Sequence, residues 1–198
     1  MNSRFRSDAK NLVIGIDEVG RGSWSGPVVA CAVLLKPEIL NFSLSSKIND
    51  SKKVDKINRK KLSEFIKNYS FYSFGESSAK EIDETNILEA TIQAIKRAFH
   101  PFKSLKNKVC IDGPALFKLN SNTIFKIKGD QLSISVASAS ILAKNYRDNL
   151  MINFSKNFPN YDWENNSGYG TKKHREGIKR YGVTELHRKS FKPMKFLV

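Results

Sequence analysis

The chain has 198 residues, 40% of them hydrophobic, with 34 Lys+Arg against 19 Asp+Glu and a formal net charge of +15. That apolar share is enough for a substantial core, while no run of about 18 apolar residues occurs and Met1 to Lys10 is polar, which argues against a membrane span or secretory signal and makes the cytoplasm the expected location. The basic balance favours a polyanionic partner, nucleic acid being the commonest, although the Lys and Arg residues are scattered rather than gathered into an arm.

In chain order, strands are expected at 12–17 and 27–35, then a Ser/Asn/Lys-rich loop at 41–53 and a helix at about 57–68. A strand at 69–75, a helix at about 86–99, strands at 107–112 and 123–128 and a long helix at about 133–157 follow. After Pro159 the pattern is irregular, with short helices expected at Lys172–Arg180 and Val183–Arg188. Leu62, Phe65, Ile66 and Tyr69, and then Leu88, Ile92, Ile95 and Phe99, fall at helical spacing and read as core stripes. Leu142, Tyr146, Leu150 and Phe154 continue that pattern through the long helix and leave Lys144 and Arg147 for its other faces. Cys31 and Cys110 sit in apolar runs without metal-site spacing and read as buried structural thiols. The order implies an α/β fold, a mixed sheet flanked by helices, with a C-terminal helical extension of about 159–198 inside one domain of 1–198.

The first strand carries Asp17 and Glu18 to its end and is followed by Gly20-Arg21-Gly22. Neighbouring strand residues point to opposite faces, so both acids reach one ion only if the chain turns there, for which Gly20 and Gly22 supply the freedom. Taken alone, two acids before glycine are an ordinary polar turn. A dinucleotide-binding reading of Gly20, Gly22 and Gly26 fails, because Pro27 to Leu35 continues as a strand and not as the required helix. Two further strands end alike, in Asp112-Gly113 and in Gly129-Asp130. Each has a bland explanation, Asp112 as part of a Gly turn and Asp130 as the amino cap of the long helix. If the three strand ends are neighbours, however, the carboxylates crowd, and two unit charges about 4 Å apart cost about 4 kcal/mol at an effective dielectric near 20. Divalent cations would relieve that cost, and ligands that are all oxygen favour Mg²⁺ or Mn²⁺ over zinc. Two such ions in a basic protein suit phosphodiester hydrolysis with water as nucleophile.

Asp17-Glu18-Val19-Gly20-Arg21-Gly22 with Gly26-Pro27-Val28-Val29 resembles the opening motif of bacterial type 2 ribonuclease H, ribonuclease HII. The likeness extends over most of the chain, through Asn49-Asp50-Ser51-Lys52-Lys53, Ile82 to Leu88, Ile111-Asp112-Gly113, Lys128-Gly129-Asp130, Ala139 to Lys144 with Arg147-Asp148, Gly168-Tyr169-Gly170-Thr171 and His187 to Pro193. The resemblance implies a ribonuclease H-like fold in which Asp17, Glu18, Asp112 and Asp130 are the catalytic, metal-binding carboxylates. It implies that Gly20, Arg21 and Gly22 read the ribonucleotide 2′-hydroxyl, that Tyr169 packs on the following deoxyribose and that Lys52 contacts phosphate. It further implies a metal-dependent endoribonuclease, using Mg²⁺ or Mn²⁺ and two ions in the reacting complex. Its substrates would be RNA/DNA hybrids and DNA with embedded ribonucleotides, cut 5′ of the ribonucleotide to leave 3′-hydroxyl and 5′-phosphate ends, as in ribonucleotide excision repair. A monomer is expected, and contact with a replication clamp is left open.

This chain departs from the family pattern at Asn166-Ser167, where a His-Lys or similar pair usually precedes Gly-Tyr, and at Ser138, which breaks an alanine run. Type 3 enzymes add an amino-terminal domain, whereas only about ten residues precede the first strand here, which disfavours that type. Lys144 is either a solvated helix-face lysine or a phosphate contact. His100, His174 and His187, far apart in sequence, read as surface or structural groups, and Ser51 lacks a base that would make it a nucleophile. Two rivals remain open: another metal nuclease or strand-transfer enzyme on this fold, and a non-enzymatic basic nucleic-acid binder.

Overall fold

The computed structural model describes residues 3–49, 51, 54–192 and 194. Lys52 lies outside these residues, so the expectation attached to it has no structural counterpart.

Val/Ile-rich runs form β1, β2 and β4, and aromatic- and Ser/Thr-containing segments form β3 and β5, of a five-stranded mixed sheet of order β3-β2-β1-β4-β5. Its strands are β1 (Ile14–Val19), β2 (Val28–Leu35), β3 (Ser70–Ser77), β4 (Val109–Asp112) and β5 (Thr123–Lys126). β2 runs antiparallel to both β1 and β3, whereas β1, β4 and β5 are parallel neighbours. The helices are α1 (Ser3–Lys10), α2 (Lys56–Asn68), α3 (Ala79–Glu84), α4 (Ile87–Phe99), α5 (Gly129–Leu132), α6 (Ile134–Asn157), α7 (Trp163–Asn166) and α8 (Lys172–Tyr181). This is the mixed sheet with flanking helices that the element order implied, and the segment after Pro159 adds α7 and α8. Among the described residues no helix is long and apolar enough to cross a membrane.

Each face of the sheet has its own core. On one face Ile14, Ile16, Val28, Ala30, Ala32, Val109 and Ile111 pack against Ala94, Ile95, Ala98 and Phe99 of α4. On the other, Cys31, Val33 and Leu35 meet Ile134, Ala137, Ile141 and Leu142 of α6, Leu62 and Ile66 of α2, and Phe5 and Ala9 of α1. Burying each large aliphatic side chain contributes about 1.5–3 kcal/mol. Both cysteines are buried and free, as their apolar surroundings suggested. Ile134 to Ala143 is buried all round, because α6 lies across the centre of the sheet. Gly15 makes this close approach possible, since a side chain there would collide with the Ser135 carbonyl and the Val136 amide.

Four expectations need correction. β1 continues to Val19, so Asp17 and Glu18 lie inside the strand rather than at its end, and the turn begins at Gly20, whose φ is +90°. β5 stops at Lys126, and Lys128, at φ +57°, starts the separate short helix α5 before Ser133 caps α6. Val183–Arg188 is not helical: Gly182, at φ +76°, ends α8, Thr184 donates its amide to His187 Nδ1, and His187 bridges to Ser25 in the sheet manner. Arg147 does not occupy an outer face of α6 but is wholly buried with Met151, while Tyr146, Leu150 and Phe154 are only half-buried. The guanidinium tolerates that position because it donates to three backbone carbonyls.

Replacing Gly15 by alanine should force α6 away from β1 and destabilise the protein by about 1–3 kcal/mol, the usual range for overpacking. A urea unfolding midpoint equal to that of the unmutated chain would contradict the packing described here.

Candidate active site

Parallel strands in register carry equivalent residues to the same height. Ile14, Gly15 and Ile16 pair with Val109, Cys110 and Ile111, so the next residues along, Asp17 inside β1 and Asp112 at the end of β4, are neighbours. Alternation gives both the face on which α6 lies, since Ile16 and Ile111 belong to the opposite core. Glu18 points to the α4 side and reaches the same cavity around the end of the sheet. Asp130 arrives from α5, which is tied to β4 by the Gly129 amide donating to Asp112 Oδ1 at 2.7 Å. Asp130 is inside α5 and caps neither helix, because Ser133 caps α6, which removes the capping explanation for this acid. All four carboxylates line one cavity of about 250 Å³, together with Val19, Ser51, Ser140, Lys144 and Tyr169. β1, β4 and α5 therefore bring the four acids together.

The electrostatics record that meeting. Burial first, then the charges of Glu18 and Asp112, push the Asp17 carboxyl well above the usual range, against a hydrogen bond from Ser140 and one from the Glu18 amide at 2.8 Å. Burial also raises Glu18, eased by the Arg21 guanidinium 3.3 Å away. Negative charge is thus gathered here beyond what the chain neutralises. Four carboxylates with the Ser51 and Ser140 hydroxyls are hard oxygen donors, a set that fits Mg²⁺ or Mn²⁺ better than zinc. Among the described residues no three acidic, His or Cys side chains already stand in metal-holding geometry, so an ion bound here would take part of its coordination from water or from side chains that turn toward it.

The glycine loop is built on two buried arginines that sequence reasoning missed in this role. Arg147 donates to the carbonyls of Ser25, Pro27 and Ser167 at 2.8–2.9 Å. Arg188 donates to Gly26 and Arg21 carbonyls at 2.9–3.0 Å. Burial, and then Arg147, pull the Arg188 guanidinium down to about 9. Gly20 must lack a side chain, since its φ is +90° and a Cβ would strike Arg147. Gly22 faces the Tyr169 ring, its added Cβ coming 3.8 Å from Tyr169 Cε1. The Gly20–Gly22 loop and Tyr169 are therefore brought together, 38% of the Tyr169 surface remaining exposed.

The loop that carries Tyr169 is held from behind. Asn166 accepts from the Gly168 amide and donates to the Tyr161 carbonyl, both at 2.8 Å, while Ser167 donates to Asp148 at 2.9 Å. The unusual Asn166-Ser167 pair thus organises the turn. His174 and His187 are structural, as their sequence setting suggested: the His174 Nδ1–H faces the Tyr169 carbonyl at 3.0 Å, and the two Nε2 atoms lie 3.1 Å apart. Burial and the neighbouring His174 push His187 down to about 3, which keeps the pair neutral. A larger groove of about 800 Å³ between Pro159–Asp162 and α8 holds none of these groups.

The sequence pattern of the family described as Ribonuclease HII matches residues 14–194. Ribonuclease HII of Pelagibacter ubique is 45% identical over 189 residues, covering 94% of this chain and 99% of that protein. The chain belongs to the ribonuclease HII family. It is accordingly a hydrolase, an endonuclease of the ribonuclease H class acting on RNA in hybrids. The same fold is found in ribonuclease HII of Archaeoglobus fulgidus, solved in complex with PCNA, with a TM-score of 0.77 at 24% identity, covering 91% of this chain and 95% of that one. It is found again in Bst-RNase HIII in complex with Mn²⁺, with a TM-score of 0.71 at 16% identity, covering 96% of this chain and 71% of that one.

Because burial and like charge raise the Asp17 carboxyl, its ionised form costs stability at neutral pH. Asp17→Asn should therefore raise the thermal midpoint at pH 7.5 in chelator, above that of the unmutated protein. A lower midpoint for the variant would contradict the repulsion inferred at this cavity.

Proposed function

We propose that Asp17, Glu18, Asp112 and Asp130 together hold divalent cations, Mg²⁺ or Mn²⁺ and two in the reacting complex, at which a water cleaves the phosphodiester 5′ of a ribonucleotide. The observation that carries this reading is the convergence of four carboxylates from β1, β4 and α5 on one cavity with Tyr169 at its edge. The Mn²⁺ complex of an enzyme with the same fold supports the choice of metal. Cations bound there would supply neutralisation of the phosphate and leaving-oxygen charge. Ser140 orients Asp17, and the Gly129 amide orients Asp112. The products are 3′-hydroxyl and 5′-phosphate ends.

Gly20, Arg21 and Gly22 read the 2′-hydroxyl, the one group that separates RNA from DNA at a given position. With the Arg21, Ser25, Gly26 and Pro27 carbonyls turned onto Arg147 and Arg188, the loop is fixed from beneath. A backbone already held in place loses little freedom when substrate binds. Tyr169, packed beside Gly22, stacks on the deoxyribose that follows. This pairing favours a ribonucleotide-junction enzyme over a general nuclease of the same fold. The net charge of +15 supports binding of hybrid and ribonucleotide-containing DNA duplexes through phosphate, and the two free buried thiols suit a reducing cytoplasm.

Asp112→Asn should lower cleavage of an RNA/DNA hybrid at least a hundredfold while the duplex still binds, checked by gel assay and by fluorescence anisotropy. Activity retained by this variant would remove Asp112 from the catalytic set. Tyr169→Ala should depress cleavage at a single embedded ribonucleotide about tenfold more than cleavage of a continuous RNA strand. Equal losses on the two substrates would exclude a junction-sensing role.

A further inference from the structure

Ser140, Lys144 and Asp148 follow one another at four-residue spacing along one face of α6, running from the acids toward the turn before Gly168. Ser140 hydrogen-bonds Asp17, and Lys144 lines the same cavity as the four carboxylates. An ammonium there has two sets of anions to choose between. It lies 2.7 Å from Asp148 Oδ1, one turn further along the helix, with the lysine side chain only 21% exposed. Asp148 cannot follow a lysine that leaves. Its Oδ1 also accepts from Ser167 Oγ at 2.9 Å, and its Oδ2 meets Arg59 of α2 at 3.3 Å. Arg59 is in turn fixed by donating to the Ser51 carbonyl at 3.1 Å. Three segments therefore hold one carboxylate in place.

We propose that Asp148 is a positioning residue that holds the Lys144 ammonium off the four carboxylates and so keeps the cavity open to a divalent cation. This rests on the metal-binding reading of those carboxylates. Released from Asp148, Lys144 becomes an internal cation that competes with metal for the same negative charge. At an effective dielectric near 20, moving a unit charge a few ångströms closer to a carboxylate changes binding by roughly tenfold or more.

The test is calorimetric titration of Mn²⁺ into the substrate-free protein and three variants, Asp148→Asn, Lys144→Met and the two combined. Asp148→Asn should weaken Mn²⁺ binding about tenfold, whereas Lys144→Met and the double variant should bind at least as tightly as the unmutated chain. Affinity unchanged by Asp148→Asn would overturn the proposal. Equal weakening in the single and double variants would also overturn it, since a folding defect from losing Asp148 is common to both. An unmutated protein that takes up no Mn²⁺ would instead overturn the metal reading on which the proposal stands.

Discussion

The parallel register of β1 against β4 is the constraint from which the site follows. A slip of one residue would turn Asp17 or Asp112 to the other face of the sheet, where the α4 core has no room for a charge. The slip is prevented by burial on both faces, with Ile14, Ile16, Val109 and Ile111 on one side and Gly15 admitting the α6 backbone on the other. The repulsion among the acids is therefore sustained by hydrophobic packing that has nothing to do with chemistry. Folding free energy holds in place a charge cluster that, on its own, would fly apart.

Positive charge beneath the glycine loop answers the negative charge beside it. Arg147 and Arg188 are fully buried, and their donors are taken by backbone carbonyls from Arg21 through Pro27 and at Ser167. The loop is thereby fixed against the body of the protein at the point where Tyr169 joins it. A histidine pair kept neutral by burial braces the segment carrying Tyr169 from below. One half of the cavity wall supplies charge and the other half supplies shape, and α6 touches both.

Much of this was legible in the sequence, for identifiable reasons. β1, β2 and β4 are Val/Ile-rich runs, and the acids that accompany apolar runs, Asp17-Glu18, Asp112 and Asp130, were visible as a repeated pattern, although the structure places only Asp112 at a strand end. What was hidden depends on tertiary context. Among its described side chains α1 offers only Phe5 and Ala9 to the core, so its helical stripe was too thin to see. The burial of Arg147 and Arg188 contradicts the ordinary preference of arginine for the surface and is explained only by carbonyls distant in sequence. Val183–Arg188 carries a helix-like pattern, yet Gly182 and the bridge from His187 to Ser25 draw it into a turn. Ser140 and Asp148 sat inside a recognised motif, but their partners, Asp17, Arg59 and Ser167, could be named only once the chain was folded.

The central claim is that one cavity both cuts and reads the ribonucleotide. Its most direct test is to incubate a DNA duplex bearing a single ribonucleotide with the protein in Mg²⁺ or Mn²⁺ and map the product ends at nucleotide resolution. One incision immediately 5′ of the ribonucleotide, leaving a 3′-hydroxyl and a 5′-phosphate, is the predicted result. An intact duplex, or cuts spread over the all-DNA positions, would contradict it.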